Sequence, residues 1–159
     1  MNSNVYISHV QKDMTLIDIE QIVIVGINIG NDEEFYYQLT ELKSLCEACN
    51  YEVIETITQN LDRAIPATYV GTGKLQEIKQ VAASLHVKKI IFNDELTPAQ
   101  IKNINDALDG DFEVIDRTML ILEIFEKRAT TKEASLQVEV AKLKYMLPRL
   151  VGSRDYMSR

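Results

Sequence analysis

Gly71, Gly73 and Lys74 stand together in "YVGTGKLQEI" (residues 69–78), where a strand-like segment gives way to a helical one. Glycines let a backbone approach a phosphate closely, and a helix start aims free N–H groups at an anion. A P-loop needs G-x-x-x-x-G-K-[ST]. Thr68 occupies the place of its first glycine, and Leu75 that of the Ser or Thr that would hold magnesium. The dinucleotide fingerprint G-x-G-x-x-G fails at Gln76. What remains is a generic anion loop.

Charged residues at two strand ends could join that loop. Asn93, Asp94 and Glu95 follow one apolar run, and Asp116, Arg117 and Thr118 follow another. Open parallel sheets bind ligands beyond such ends. Gly71, Gly73, Lys74, Asp94, Glu95 and Arg117 therefore form the candidate anion or nucleotide set. The same charges also suit an internal tie, with Asp94 or Glu95 paired to Arg117 or Lys74.

Other chemistry has less to work with. Cys46 and Cys49 are spaced C-x-x-C, but both fall on an apolar helical stripe at a helix end. A redox pair belongs at a helix start, where the dipole lowers a thiol pKa. A zinc site needs about four ligands, and no second pair is present. His9 and His86 are isolated in sequence, so no nucleophile–base constellation is visible. The expectation is no metal and no catalytic residue.

The elements that must position these residues follow from periodicity. "QIVIVGIN" is a short β-branched run of the buried-strand type. Phe35, Leu39, Leu42, Cys46 and Cys49 then make one helical stripe. "YEVIETITQ" is a second strand, and "NLDRAIPATYVGTG" a loop broken by Pro66 and glycines. Leu75, Ile78, Ala82 and Leu85 mark a second helix starting at Lys74. "KKIIFN" is a third strand. In the next helix Thr97 is the N-cap, Pro98 the first position and Gly110 the exit. "FEVID" is a fourth strand. The alternation predicts an α/β fold: a four-stranded, mostly parallel sheet with helices on both faces and right-handed crossovers. The expected strand order is 2-1-3-4. The first twenty residues fit no single pattern, though "VYISHV" could add an edge strand.

After Asp116 the pattern changes, dividing the chain into a sheet subdomain (1–116) and a helical one (117–159). "RTMLILEIFEKRA" is an apolar helix. "TTKE" offers a capping box with Thr130 as cap and Glu133 three residues on, so a second helix restarts there and runs to about Pro148. That helix carries two stripes on opposite sides: Leu136, Val140, Leu143 and Leu147 on one, Ala134, Val138, Ala141 and Tyr145 on the other. Two apolar faces require two partners. The expectation is a chain cut from something longer, its last helix being half of a helical hairpin. The alternative is self-association through Leu136, Val140, Leu143 and Leu147.

Composition bounds the class. The chain has 159 residues, 46% hydrophobic and 26% charged, which suits one soluble domain of ordinary size. No apolar run reaches the length of a membrane span, no secretory signal opens the chain, and two cysteines make no disulfide framework. A cytoplasmic setting is the simplest expectation. The net charge of −7 is uneven: residues 127–159 hold eight of the 17 Lys and Arg but three of the 24 Asp and Glu, a net +5 against −12 elsewhere. An acidic body repels nucleic acid and a basic tail attracts it.

Three blocks carry a more specific signal. "PATYVGTGKLQEI" resembles the Y-x-G-x-G-K loop of the HflX-type GTPases. "FNDELTPAQIKNI" resembles their F-[DN]-x-E-L-[ST]-P-x-Q segment. "VIDRTMLILEIFEKRATTKEASLQVEVAKLKYMLPRLVG" resembles their D-R-T-x-L-I-L-x-I-F…L-Q-V-E-L-A…L-x-Y-x-L-P-R-L helix, and the likeness spans about residues 20–152. The resemblance implies an amino-terminal, ribosome-binding region lying ahead of a GTPase domain. Its partners would be the large ribosomal subunit and ribosomal RNA near the peptidyl-transferase region, in ribosome splitting or rescue. The candidate RNA contacts are Lys142, Lys144, Arg149 and Arg154. GTP and Mg2+ would belong to the GTPase domain, because G-x-x-x-x-G-K-[ST], D-x-x-G and N-K-x-D are absent from these 159 residues. The family's amino-terminal region is also associated with an adenine-nucleotide activity. The rival readings are a stand-alone nucleotide-binding domain using loop 71–74 and a dimerisation scaffold.

Overall fold

The computed structural model describes the backbone of residues 5–10 and 13–151 and the side chains of residues 18–150. Strands β1 (Val5–Val10) and β2 (Asp13–Asp18) pair antiparallel in a two-stranded sheet of their own, so "VYISHV" is not an edge strand of the main sheet. The main sheet contains β3 (Glu20–Asn28), β4 (Tyr51–Asn60), β5 (Lys89–Phe92) and β6 (Glu113–Asp116). Its order is β4-β3-β5-β6 and every pairing is parallel, which is the expected 2-1-3-4 arrangement.

Helices α1 (Asp32–Ala48), α2 (Thr72–Ser84), α3 (Pro98–Ala107) and α4 (Arg117–Arg128) cover the sheet. Strand alternation sorts the core into two layers. Ile22, Ile24 and Ile91 point to one face, where Phe35, Leu39, Leu42 and Cys46 of α1 meet Leu120 and Ile124 of α4. Val23, Val25, Ile90 and Phe92 point to the other, against Leu75 and Ile78 of α2 and Ile104 of α3. At Gly26 α1 packs tightly on the sheet: a Cβ there would lie 3.1 Å from Phe35 and 3.2 Å from Leu39.

Helix starts and stops follow local chemistry, with two shifts from expectation. Thr97 and Gln100 form a full capping box at α3, and Gly110 follows that helix with φ +69°. Helix α2 begins at Thr72 with Gly71 as cap, two residues before Lys74. The last helix, α5 (Lys132–Val151), restarts one residue later than the TTKE pattern suggested. Thr131, not Thr130, caps it, accepting from the Ala134 amide at 3.1 Å. Pro148 lies inside α5 rather than ending it. Arg149 and its neighbours pack against the body, and this tertiary support outweighs the one hydrogen bond that proline removes.

Candidate functional site

Loop 71–74 is built around Tyr69. This residue is 1% exposed and adopts φ +66°, a conformation that costs a non-glycine residue energy unless the surroundings enforce it. The enforcement is visible. Its ring packs edge-on against Phe92 at 5.6 Å, and its hydroxyl donates to the Asp94 carboxylate. Burial, then the Asp94 charge, raises the Tyr69 phenol pKa. Gln100 Nε2 donates to the Ile65 carbonyl at 3.1 Å, and Asn103 Nδ2 to that of Ala67 at 2.9 Å. The loop is thus fastened to β5 and α3.

The glycines serve different ends. Gly71 N donates to Gln59 Oε1 at 2.9 Å, and a Cβ on Gly71 would meet Gln59 Nε2 at 3.1 Å. Gly73 has nothing within 4 Å of such a Cβ. Lys74 pairs with Glu77 at 2.7 Å, one turn along its own helix.

Topology brings the rest of the predicted set to the same sheet end but into no ion pair with one another among the described residues. Arg117 pairs with Glu41 and donates to Asn93 Oδ1 at 2.8 Å. Glu95 faces Arg149 at 3.7 Å. Asp94 serves Tyr69. The expected tie between these acids and Arg117 or Lys74 is therefore replaced by partners from α1, α5 and the loop itself. Cavities along this end are lined by Asp32 and Asp62 in one case, and by Glu34, Glu41 and Asp94 beside Arg117 in another. Neither includes Gly71, Gly73 or Lys74. Acidic walls repel a polyphosphate, and the one lysine of the loop is engaged. Neither of these two cavities joins the glycine loop to Arg117.

The better-built site lies under α5. Asp116 is 1% exposed and joins β6, α4 and α5 to the loop before α3. It ends β6 and caps α4, with Oδ1 accepting from the Met119 amide at 2.9 Å. Its Oδ2 accepts from the Leu96 amide at 2.9 Å and from the Tyr145 hydroxyl of α5. Burial, then this hydrogen bond, raises the Tyr145 pKa. Arg149 adds a second pin: Nη2 donates to the Leu96 carbonyl at 2.7 Å, Nη1 to the Tyr145 carbonyl at 2.9 Å, and the guanidinium stacks 3.6 Å from the Tyr145 ring centroid. Beside these pins lies a cavity of about 360 Å3 between β6, α3, α4 and α5.

The four predicted RNA contacts thus differ in setting. Arg149 is engaged inward, Lys142 pairs with Glu126 at 2.9 Å, and Lys144 is exposed with no ion pair among the described residues. Arg154 lies outside the described residues. The two-faced character of α5 holds: Tyr145 and Ala141 face the body, while Leu136, Val140, Leu143 and Leu147 are each about half exposed. Cys46 and Cys49 are free and buried, and burial first, then the neighbouring Cys49, lifts the Cys46 thiol to about 12.

Sequence reasoning missed two anchors. Asp116 read only as a strand-end charge, although an Asp directly before an apolar helical run is an N-cap signal. Lys89 is buried: its Nζ donates to Tyr51 Oη at 2.6 Å, which donates to Glu123 at 2.7 Å. Nothing in "KKIIFN" distinguishes Lys89 from exposed Lys88. Among the described residues no group of three or more His, Cys, Asp or Glu is placed to hold a metal, and no helix is long and apolar enough to cross a membrane.

Comparison with known proteins places this architecture. Residues 36–126 match the family described as GTP-binding GTPase N-terminal, and residues 128–159 its GTP-binding GTPase Middle Region. Over 149 residues the chain is 42% identical to GTPase HflX of Alkalihalophilus pseudofirmus, covering 93% of this chain and 35% of that protein. Over 143 residues it is 47% identical to GTPase HflX of Caldanaerobacter subterraneus, covering 89% of this chain and 32% of that one. The chain therefore spans about a third of the length of the curated relatives it matches. A GTP-binding protein from Sulfolobus solfataricus, solved in complex with GDP, superposes with TM-score 0.65 at 29% identity, covering 87% of this chain and 40% of that one.

Proposed function

The chain belongs to the HflX GTPase family, and on that premise we propose that it is a non-catalytic module that docks such a GTPase on the large ribosomal subunit through ribosomal RNA. The observation that carries this reading is the division of labour on α5. One face is pinned to the body by Tyr145 and Arg149, leaving Lys144 and the Leu136–Val140–Leu143–Leu147 stripe outward. A helix held rigidly at its inner face is a lever that presents its outer face at a set angle. In this reading Lys144 and Arg154 meet phosphates, Lys142 stays paired with Glu126, and Arg149 sets the position of the helix. The acidic remainder, at −12, keeps the rest of the surface away from RNA. GTP binding and hydrolysis, and any role in splitting or rescuing ribosomes, are assigned to the GTPase as a whole. The setting this implies is the cytoplasm. A nucleotide site at loop 71–74 is the less favoured reading, because Lys74 is engaged by Glu77 and the adjoining cavities are acidic.

Co-sedimentation with purified large subunits across a salt series tests the proposal. Binding should weaken as salt rises, and Lys144→Glu should weaken it further and flatten the slope by about one. Absence of binding at low salt, or a Lys144→Glu profile identical to the parent's, refutes it.

A further inference from the structure

Helix α5 covers a free sheet edge. Strand β6 ends the sheet, and α5 packs on both α3 and α4, which lie on opposite faces. It therefore runs across the β6 edge, a common way of hiding unpaired strand groups. The cover does not fill the space beneath it, since the cavity of about 360 Å3 lies there.

Three hydrogen-bonding groups that line this cavity have no partner. Glu113 N donates to the Lys88 carbonyl at 2.8 Å, so Glu113 turns its backbone groups toward β5. In a parallel ladder the direction alternates with each residue. Ile115 then faces β5, and Val114 turns its N–H and C=O outward, into the cavity. Outside the strand ladder no backbone hydrogen bond to either group is found among the described residues. The third group is Arg149 Nε, the one buried side-chain nitrogen or oxygen without a partner among the described residues. Buried polar groups are nearly always paired, so Arg149 Nε, with the unpaired strand-edge groups of Val114 on the same cavity, calls for an occupant or ordered water.

The chemistry of the walls narrows the occupant. Ile101, Met119, Met146 and Leu150 make the lining largely apolar. The charged residues of the lining, Glu113, Asp116, Glu123, Lys142 and Arg149, each have a partner within the protein, so the walls offer a charged occupant no free counter-charge. The unmet groups are two N–H donors and one C=O acceptor, the pattern that an amide backbone answers. We propose that this cavity is a β-augmentation site for a short, uncharged, extended peptide segment of a partner chain. The segment pairs with Val114 as a fifth strand, and one of its carbonyls accepts from Arg149 Nε. The volume suits a few residues of extended chain rather than a folded element. This inference is independent of ribosome binding.

The test is an NMR titration of the 15N-labelled 159-residue chain with N-acetyl-alanyl-valyl-alanine methylamide. The Val114 amide and Arg149 Nε–H signals should shift together and saturate, and the same peptide with its central amides N-methylated should not shift them. Val114→Pro removes the outward donor without touching the β5 ladder and should weaken binding about tenfold. Met146→Trp, which fills the cavity from α5 and leaves the strand intact, should abolish it. The proposal is overturned if neither signal shifts at millimolar peptide. Equal shifts with the N-methylated peptide, or full binding by Met146→Trp, overturn it too.

Discussion

Tyr145 donates its phenolic proton to Asp116, twenty-nine residues upstream, and so locks the last helix to the carboxylate that also caps α4. Removing the hydroxyl by Tyr145→Phe leaves Asp116 Oδ2 with the Leu96 amide alone. The expected loss is about 1–2 kcal/mol in urea unfolding followed by circular dichroism. Asp116→Ala removes three accepted hydrogen bonds, one of them the N-cap of α4, and should cost more, about 3 kcal/mol or above. Equal effects of the two changes would mean that Asp116 is not the hub described.

Arg149 should behave as a staple. Arg149→Lys keeps the charge but cannot reach the Leu96 and Tyr145 carbonyls together or stack as a plane on Tyr145. Hydrogen exchange should accelerate in the second half of α5 while β3 and β5 stay protected. Unchanged α5 exchange would place the helix's anchorage elsewhere.

The two loop glycines should separate. Gly73→Ala enters open space near a helix start and should stabilise by about 0.5–1 kcal/mol. Gly71→Ala pushes on Gln59 and should destabilise by about 1 kcal/mol. Calorimetry with ATP and GTP on Gly73→Ala is the companion measurement. Tight nucleotide binding that this change abolishes would revive the phosphate-loop reading.

Alkaline pH should destabilise the fold. The Cys46 thiol rises from 9.0 to about 12 on burial. The folded state therefore holds that proton more tightly than the unfolded one. The stabilisation is complete below pH 9 and is lost as pH climbs toward 12. Buried Tyr69 and partly buried Tyr51 and Tyr145 shift in the same direction. Melting temperature should fall through that window, less steeply in Cys46→Ala. A thiol reagent at pH 8 should modify Cys46 rapidly only after urea is added.

The exposed stripe on α5 predicts association. Leu143 and Leu147 are 50% and 54% exposed, so Leu143→Lys with Leu147→Glu should leave the melting temperature within about 0.5 kcal/mol equivalent. If the stripe is a contact surface, light scattering should show the parent associating with concentration and the variant remaining monomeric. A parent that stays monomeric throughout removes the scaffold reading.

Much of this architecture was legible in the order of residues. β-branched runs, helical stripes and the Thr97–Pro98 start named the four strands and most helices, because period and capping are local properties. The parallel order followed from the alternation, since crossover rules leave few topologies. Family membership was legible in three blocks, above all the helix after Asp116. The two faces of α5 were legible as well, because each stripe repeats at the helical period. Tertiary structure decided which charges meet. Lys74, Asp94, Glu95 and Arg117 arrive at one sheet end, yet each takes a partner from an element distant in sequence or from its own helix turn. Pair formation depends on distances of a few ångströms, which spacing along a chain does not encode. The same holds for Arg149 and Lys89. Arg149 read as a candidate RNA contact and Lys89 as one of two like lysines opening a strand, and only the packed fold shows that one pins α5 and the other is buried under Tyr51.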